Sequence, residues 1–376
     1  MLLPDLVFDV LLRLPVKSLL RSRCLSKLIC AEIDSANFVN NHLKRSTETK
    51  THQKLIINEA SSFYAADVDD SLREITALPL CCPLKYSQSV TVVCGSVLNG
   101  LILLGTIPKL GRERVQFILW NPFTRRYKNI PSYGRINLCN FNSFGLGYDS
   151  TVDDYKIVMI LRDFNHKGFV PKALVFSLKS NSWRRIEDVA GLFARSRAAL
   201  TTGSALYWSA FNYPYNDVKI LGFDIASEVF FNFRLLSCFC TRSMLVLDGK
   251  LYVSRVPDDG ETQEFYLGMS DKDGEEAGVN WRKAFVMHKG DLNKRGDYLS
   301  GPLTYSKEGD NILLCNRNKL SWYNPEKETR QIIDINISLC GYRYNVCSES
   351  LVSLGCDTAF DEEAEEVLVD KLNMKT

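Results

Sequence analysis

Turn signals recur along this chain in two interleaved series, and few folds can satisfy both. The first series reads "SVLNGLILL", "GYDSTVDDYKIV", "LTTGSALYW", "LVLDGKLYV" and "SKEGDNILL". Its centres fall near Asn99, Thr151, Gly203, Gly249 and Gly309, with spacings of 52, 52, 46 and 60 residues. The second reads "LWNPFTRRYKNIP", "VFSLKSNSWRRIE", "GFDIASEVFFNF", "LGMSDKDGEEAGVNWRKAF" and "WYNPEKETRQII". Those turns centre near Pro122, Ser180, Ala226, Gly274 and Pro325, spaced by 58, 46, 48 and 51 residues. Runs rich in Val, Ile, Leu, Phe, Tyr and Trp flank every turn, which is strand-and-hairpin grammar. Asn-Gly and Asp-Gly supply the positive backbone angles that tight hairpins need. Two hairpins per repeat make four strands, and a repeat of about 50 residues is the period of propeller blades.

Five such units are readable, and both ends carry loose β material. "KLIINEASSFYAADV" reads as an early hairpin and "ESLVSL", at 349 to 354, as a late strand. A ring of blades commonly closes by pairing strands from both ends, which removes an exposed edge. The expectation is a mostly β chain with a six-bladed β-propeller, five to seven blades being compatible with the count. A pair of β-sandwiches leaves the regular double hairpin unexplained.

Composition narrows the function classes. Of 376 residues, 46 are Lys or Arg and 44 are Asp or Glu, and no long basic block stands out, so nothing draws the chain to nucleic acid. No apolar run approaches the roughly 18 residues that a membrane span needs. Asp5, Asp9 and Arg13 interrupt the N-terminal apolar stretch, which therefore does not read as a secretory signal. The 12 cysteines contain no C-x-x-C pair and the four histidines are not paired at ligand spacing, so no metal or cofactor is expected. Free thiols in strand-like surroundings suit a reducing compartment, the cytoplasm or the nucleus.

No dinucleotide fingerprint, phosphate loop, nucleophile elbow or H-E-x-x-H motif occurs. The carboxylate pairs Asp69-Asp70, Asp153-Asp154 and Asp258-Asp259 sit in turn contexts, where Asp is favoured locally. A glycosidase would need two carboxylates converging from different blades. Trp120, Trp183, Trp208, Trp281 and Trp322 mostly flank hairpin turns and read as blade packing. No catalytic residue is assigned.

The first 45 residues follow a different rule. Leu3, Val7, Val10, Leu11 and Leu14 recur at helical spacing. Pro4 suits a first helical turn, while Pro15 ends that helix and starts another bearing Val16, Leu19 and Leu20. Cys24, Leu25, Leu28, Ile29 and Ile33 suggest a third short helix. So small a unit buries too little surface to stand alone. Periodicity leaves two readings open: a helical cap on the domain that follows, or a docking module for another protein.

"LPDLVFDVLLRLPVKSLLRSRCLSK", followed by "IDSANFVNNHL", resembles an F-box, the module that docks on a Skp-family adaptor in cullin-based ubiquitin ligases. "RLPVKSLLR" in particular is similar to the F-boxes of a large plant family. The resemblance implies adaptor contacts at Leu3, Pro4, Leu14, Pro15, Val16 and Leu19. The chain departs from the family where "SKLICAEI" replaces "SKSW--LI", putting Ile29 for a Trp and Glu32 for a Leu. Farther on, "LWNPFTRRYKNIP", "FGLGYDSTVDDYKIV", "VFSLKSNSWRRI", "GSALYW", "LGFDIASEVF" and "ESLVSL" are similar to the F-box-associated, kelch-like domain of the same family.

That resemblance implies three regions: an F-box at 1–45, a propeller at 52–355 and an acidic tail at 356–376. It implies a substrate-recognition subunit of a Skp-cullin-F-box (SCF) ubiquitin ligase, its F-box on the adaptor and its propeller on an unidentified target protein. The rival is a propeller that binds protein or glycan while its diverged F-box no longer engages the adaptor. The tail reads as a solvated helix or flexible segment.

Overall fold

The computed structural model describes residues 4–59, 62–69, 71, 73–84, 90–108, 115–134, 141–165, 168–186, 191–212, 218–234, 244–255, 257, 262–270, 279–288, 301–316, 319–337, 343–355 and 358–359. Four helices open it: α1 (Pro4–Leu11), α2 (Val16–Ser22), α3 (Lys27–Ile33) and α4 (Ala36–Glu48). Sequence periodicity pointed to two or three. The extra boundary comes from Ser35, whose hydroxyl accepts from the Phe38 N–H at 3.1 Å and starts α4 two residues after α3 ends.

Six sheets follow, each a blade, antiparallel throughout except where Glu74–Ile75 adds in parallel to the outer edge of the sixth. From the axis outwards, blade 1 holds Arg343–Ser348, Gln53–Glu59, Ser62–Asp67 and Leu78–Leu80. Blade 2 holds Val90–Leu98, Leu101–Pro108, Gln116–Asn121 and Arg126–Ile130, and blade 3 Phe141–Asp149, Asp154–Asn165, Gly168–Ser177 and Ser182–Ile186. Blade 4 begins with a broken inner strand, Leu192–Ala194 and Leu200–Thr201, followed by Ala205–Asn212, Val218–Asp224 and Phe230–Arg234. Blades 5 and 6 run Met244–Leu247 to Val279–His288 and Gly301–Tyr305 to Thr329–Ile335. Inner strands of successive blades touch all the way round, the sixth against the first.

The closure is of the expected kind but uses a different segment. Arg343–Ser348 pairs with the N-terminal strand from Gln53↔Ser348 to Asn58↔Arg343. "ESLVSL", read as the closing strand, comes just after it and forms no ladder. Its backbone is claimed by side chains instead: Asn121 Nδ2 donates to the Ser350 and Val352 carbonyls at 2.9 and 3.1 Å. The tail also differs from expectation at its start, because Thr358–Ala359 adds a fifth strand to blade 2 beside Arg126–Tyr127. The remainder, 360–376, lies outside the described residues.

Burial explains why the strands read as continuous apolar runs. Leu101, Ile102, Leu103 and Leu104 are all 0% exposed. Leu101 and Leu103 face blade 3, meeting Phe144 and Ile157, while Ile102 and Leu104 face blade 1, meeting Ile56 and Phe63. A strand in a ring of blades is covered on both faces, so alternation disappears. Gly95 and Gly105 bring blade 2 close to blade 3, since a Cβ there would lie 2.5 and 2.9 Å from the Phe144 ring.

The turns repeat a single piece of chemistry. At the end of the third strand, Asn121, Ser177, Asp224 and Asn324 each accept from a backbone N–H two or three residues on. Four residues after each, Arg125, Asn181, Glu228 and Glu328 take positive φ of 51–58°. These side chains mimic a backbone turn and set the reversal. The fifth turn of this series, near Gly274, lies outside the described residues. The four described turns, with Asn99-Gly100 and Asp248-Gly249, emerge at one end of the ring. The helices sit on that end.

Candidate functional site

The helical module has its own small core. Leu11, Leu19, Ile33 and Phe38 are buried, and Val7, Phe8, Leu12, Leu14, Ile29 and Leu351 pack on them. Phe8 meets Phe38 edge-on, ring centroids 5.5 Å apart. Ile29 and Ile33, one helical turn apart, turn the inner face of α3 to this core. Leu28 and Glu32, one residue earlier in each case, occupy its exposed face.

The six residues assigned by resemblance divide accordingly. Leu3 lies outside the described residues, and Pro4 opens α1. Leu14 and Pro15 are half-buried in the turn between α1 and α2, while Val16 and Leu19 are 0% exposed. A different apolar set stands open: Leu6 (49%) and Val10 (52%) on one face of α1, and Leu25 (72%) and Leu28 (84%) at the start of α3. Sequence reading placed Leu25 and Leu28 on an apolar stripe. The overlooked signal is Ser26, which accepts from the Ile29 N–H at 3.1 Å and caps α3. That cap leaves Leu25 before the helix and puts the buried stripe on Ile29 and Ile33.

The module is fastened to the ring at several points. His42 Nε2–H donates to the Leu14 carbonyl at 2.9 Å, and His52 Nε2–H to the Arg13 carbonyl at 3.1 Å. The two imidazoles stack, centroids 6.5 Å apart and planes within 4°. Burial holds the His42 pKa below its ordinary value, against the opposing pull of its bond to Leu14. Glu349 Oε2 accepts from the Val16 N–H at 2.8 Å, and Lys54 Nζ lies 3.4 Å from Glu349 Oε1 and 2.6 Å from Asp67 Oδ1. Burial lowers the Lys54 pKa, but these two carboxylates outweigh it and the net shift is upward. At the end of α4, Lys50 pairs with Asp248 at 2.9 Å and lies over the Tyr305 ring. Val39 and Leu43 pack on the cluster that holds Leu101 and Val352.

Beneath the module a cavity of about 940 Å³ runs along the ring axis, its wall including Lys50, Asn99, Thr202, Asp248, Thr304 and Tyr344. Carboxylates elsewhere serve the scaffold. Asp154 accepts from Ser177 Oγ and the Lys179 N–H, and Asp153 from the Tyr148 hydroxyl. Asp149 is buried beside Lys156 at 2.6 Å. Burial alone would raise its pKa, but the bonds from Lys156 and Thr151 prevail and hold it at about 2. Lys156 reaches on to Glu228 of blade 4 at 2.7 Å, which pairs with Arg184, so the chain of charges joins blades 3 and 4. Asp70, Asp258 and Asp259 lie outside the described residues. Among the described residues no group of three or more His, Cys, Asp or Glu side chains is placed to hold a metal. Nor, among them, is any helix long and apolar enough to cross a membrane.

A helical module seated on the turn end of a closed six-bladed ring is the class of fold this chain defines, with one surface on the helices and another on the blades. Residues 46–352 match the profile of the F-box associated beta propeller domain, and the chain belongs to that family. It is 31% identical to the F-box protein CPR1 of Arabidopsis thaliana, over 94% of this chain and 88% of that protein. To the Arabidopsis protein SUPPRESSOR OF NIM1 1 it is 28% identical, over 83% of this chain and 86% of that one.

Proposed function

We propose that this protein is the substrate-recognition subunit of an SCF-type ubiquitin ligase, working in the cytoplasm or nucleus. Its helical module holds a Skp-family adaptor, and through it a cullin, while the propeller holds a target protein. The observation that carries this reading is the uncovered apolar set Leu6, Val10, Leu25 and Leu28 on a module whose own core is already closed by Leu11, Leu19, Ile33 and Phe38. Burying one such side chain is worth about 1.5–3 kcal/mol, so four support firm docking. Leu14 and Pro15 border that surface, and Val16 and Leu19 shape it from within.

The chemistry asked of the chain is proximity. Tethering raises the effective concentration of the target's lysines at the conjugating enzyme. Such a role needs no catalytic residue here. The helices occupy one end of the ring, so the far end, where second strands turn into third strands, is the face offered to a target.

The test is binding of the full chain to a plant Skp-family adaptor, beside a Leu25→Asp/Leu28→Asp variant. Both positions are exposed, so the variant should fold as the parent does. Submicromolar binding by the parent, weakened about a hundredfold or more in the variant, is the expected result. A well-folded parent that does not bind would overturn the proposal. It would favour the rival in which the propeller binds protein or glycan without a ligase.

A further inference from the structure

We infer that closure of the propeller builds the adaptor-facing turn, with Glu349 and His52 as its positioning residues. The adaptor part of this inference rests on the function proposed above; the clamp itself does not.

Residues 12 to 15 connect α1 and α2, and Pro15 contributes no N–H. The Arg13 and Leu14 N–H groups bond back into α1, and the Pro15 carbonyl accepts from Ser18 and Leu19. From Arg13 to the first N–H of α2, three backbone groups remain: the Arg13 and Leu14 carbonyls and the Val16 N–H. His52, His42 and Glu349 take them in that order. The Leu-Pro turn is thus completed by side chains from α4, from the entry to blade 1 and from just beyond its closing strand. Glu349 is 6% exposed, so water does not offer a ready substitute.

The two clamping segments are themselves joined, since the Glu349 N–H donates to the His52 carbonyl at 3.0 Å. That bond continues the ladder from Gln53↔Ser348. Beyond Glu349 the chain threads between the two bodies. Leu351 packs into the helical core, while Val352 and Leu354 pack into the cluster between blades 2 and 3. Asn121 fixes the intervening carbonyls. Val16 and Glu349 are 333 positions apart in sequence, so the bond forms only when the last strand has joined the first blade. A chain with an open ring therefore presents an unfinished turn to the adaptor. Adaptor recruitment is coupled in this way to completion of the target-binding propeller.

The experiment compares the full chain with Glu349→Ala and Glu349→Gln by hydrogen exchange and by adaptor affinity. Exchange at Val16 is expected to rise about tenfold or more in Glu349→Ala, with peptides over 101–104 unchanged. Glu349→Gln keeps an acceptor oxygen and should stay within about threefold of the parent. The adaptor dissociation constant should follow the same order, about tenfold weaker for Ala and little changed for Gln. Unchanged Val16 protection in Glu349→Ala, or Gln behaving as Ala, would overturn the clamp. Faster Val16 exchange with adaptor affinity intact would overturn the coupling. If no chain binds adaptor while Val16 exchange follows the expected order, the ligase reading fails and the clamp stands.

Discussion

At the residue scale, His42 makes the seat of the helical module sensitive to acid. Its bond to the Leu14 carbonyl requires the proton on Nε2, and Nδ1 is buried with no hydrogen-bond partner. Protonation would place a second N–H where nothing accepts it and a charge in a buried site 6.5 Å from the stacked His52 ring, a cost that the smaller attraction of Glu349 does not offset. The folded-state pKa is lowered from 6.5, chiefly by burial. The unfolded chain therefore takes the proton first. The contribution to stability is fully present above about pH 6.5 and declines as pH falls through the lowered folded value. Protection of the α4 amides, taken relative to the intrinsic exchange rate at each pH, is expected to fall between pH 7.5 and pH 5.5. In His42→Gln, whose amide can still donate to Leu14 but does not titrate, that response should flatten. An equal response in both chains would show that another group governs it.

At the scale of elements, the legible parts were those with local chemistry. Nine turn centres read from the sequence fall between paired strands, because Asn-Gly, Asp-Gly and the Asn, Ser or Asp before each outer turn act within a few residues. The role of "ESLVSL" was not legible. Its apolar and polar alternation resembles a strand, yet its partners are Asn121 and Val16, reached only through the assembled ring. The resemblance implies adaptor contacts at Val16 and Leu19, and in the chain alone both side chains are 0% exposed.

The same segment explains Gly100. Its φ is +80°, and a Cβ there would run into the Ser350 side chain. Gly249 has a similar φ of +70°, but its nearest atom, the Thr202 carbonyl oxygen, would lie 4.0 Å away. Gly249→Ala should therefore cost only the backbone strain, about 1 kcal/mol, and Gly100→Ala about 2–3 kcal/mol. Chemical unfolding of both, with Ser350→Gly added to Gly100→Ala as a partial rescue, tests this. Equal losses without rescue would mean that Ser350 yields freely.

At the scale of the whole molecule, the ring and the helical seat depend on adjacent stretches of one C-terminal segment, and truncation can separate them. A chain ending at 342 lacks the inner strand of blade 1. The edge of Gln53–Glu59 is then open, and Leu55, Ile56 and Ile57, all 0% exposed in the closed ring, lose cover. Such an edge invites pairing with other chains, so this chain should aggregate and lack a single cooperative thermal transition. A chain ending at 348 keeps the strand but not Glu349 or Leu351. It should give a closed propeller whose α1–α2 turn exchanges rapidly. A chain ending at 355 retains both segments and should match the full chain at Val16, its only structural loss among the described residues being Thr358–Ala359. Size-exclusion chromatography, thermal melting and exchange at Val16 read the three together. If the chain ending at 348 protected Val16 as well as the chain ending at 355, the helical module would be held by α4 and the histidines alone. If it failed to melt cooperatively, the seven residues after the closing strand would be part of the ring's own closure and not only the seat of the helices.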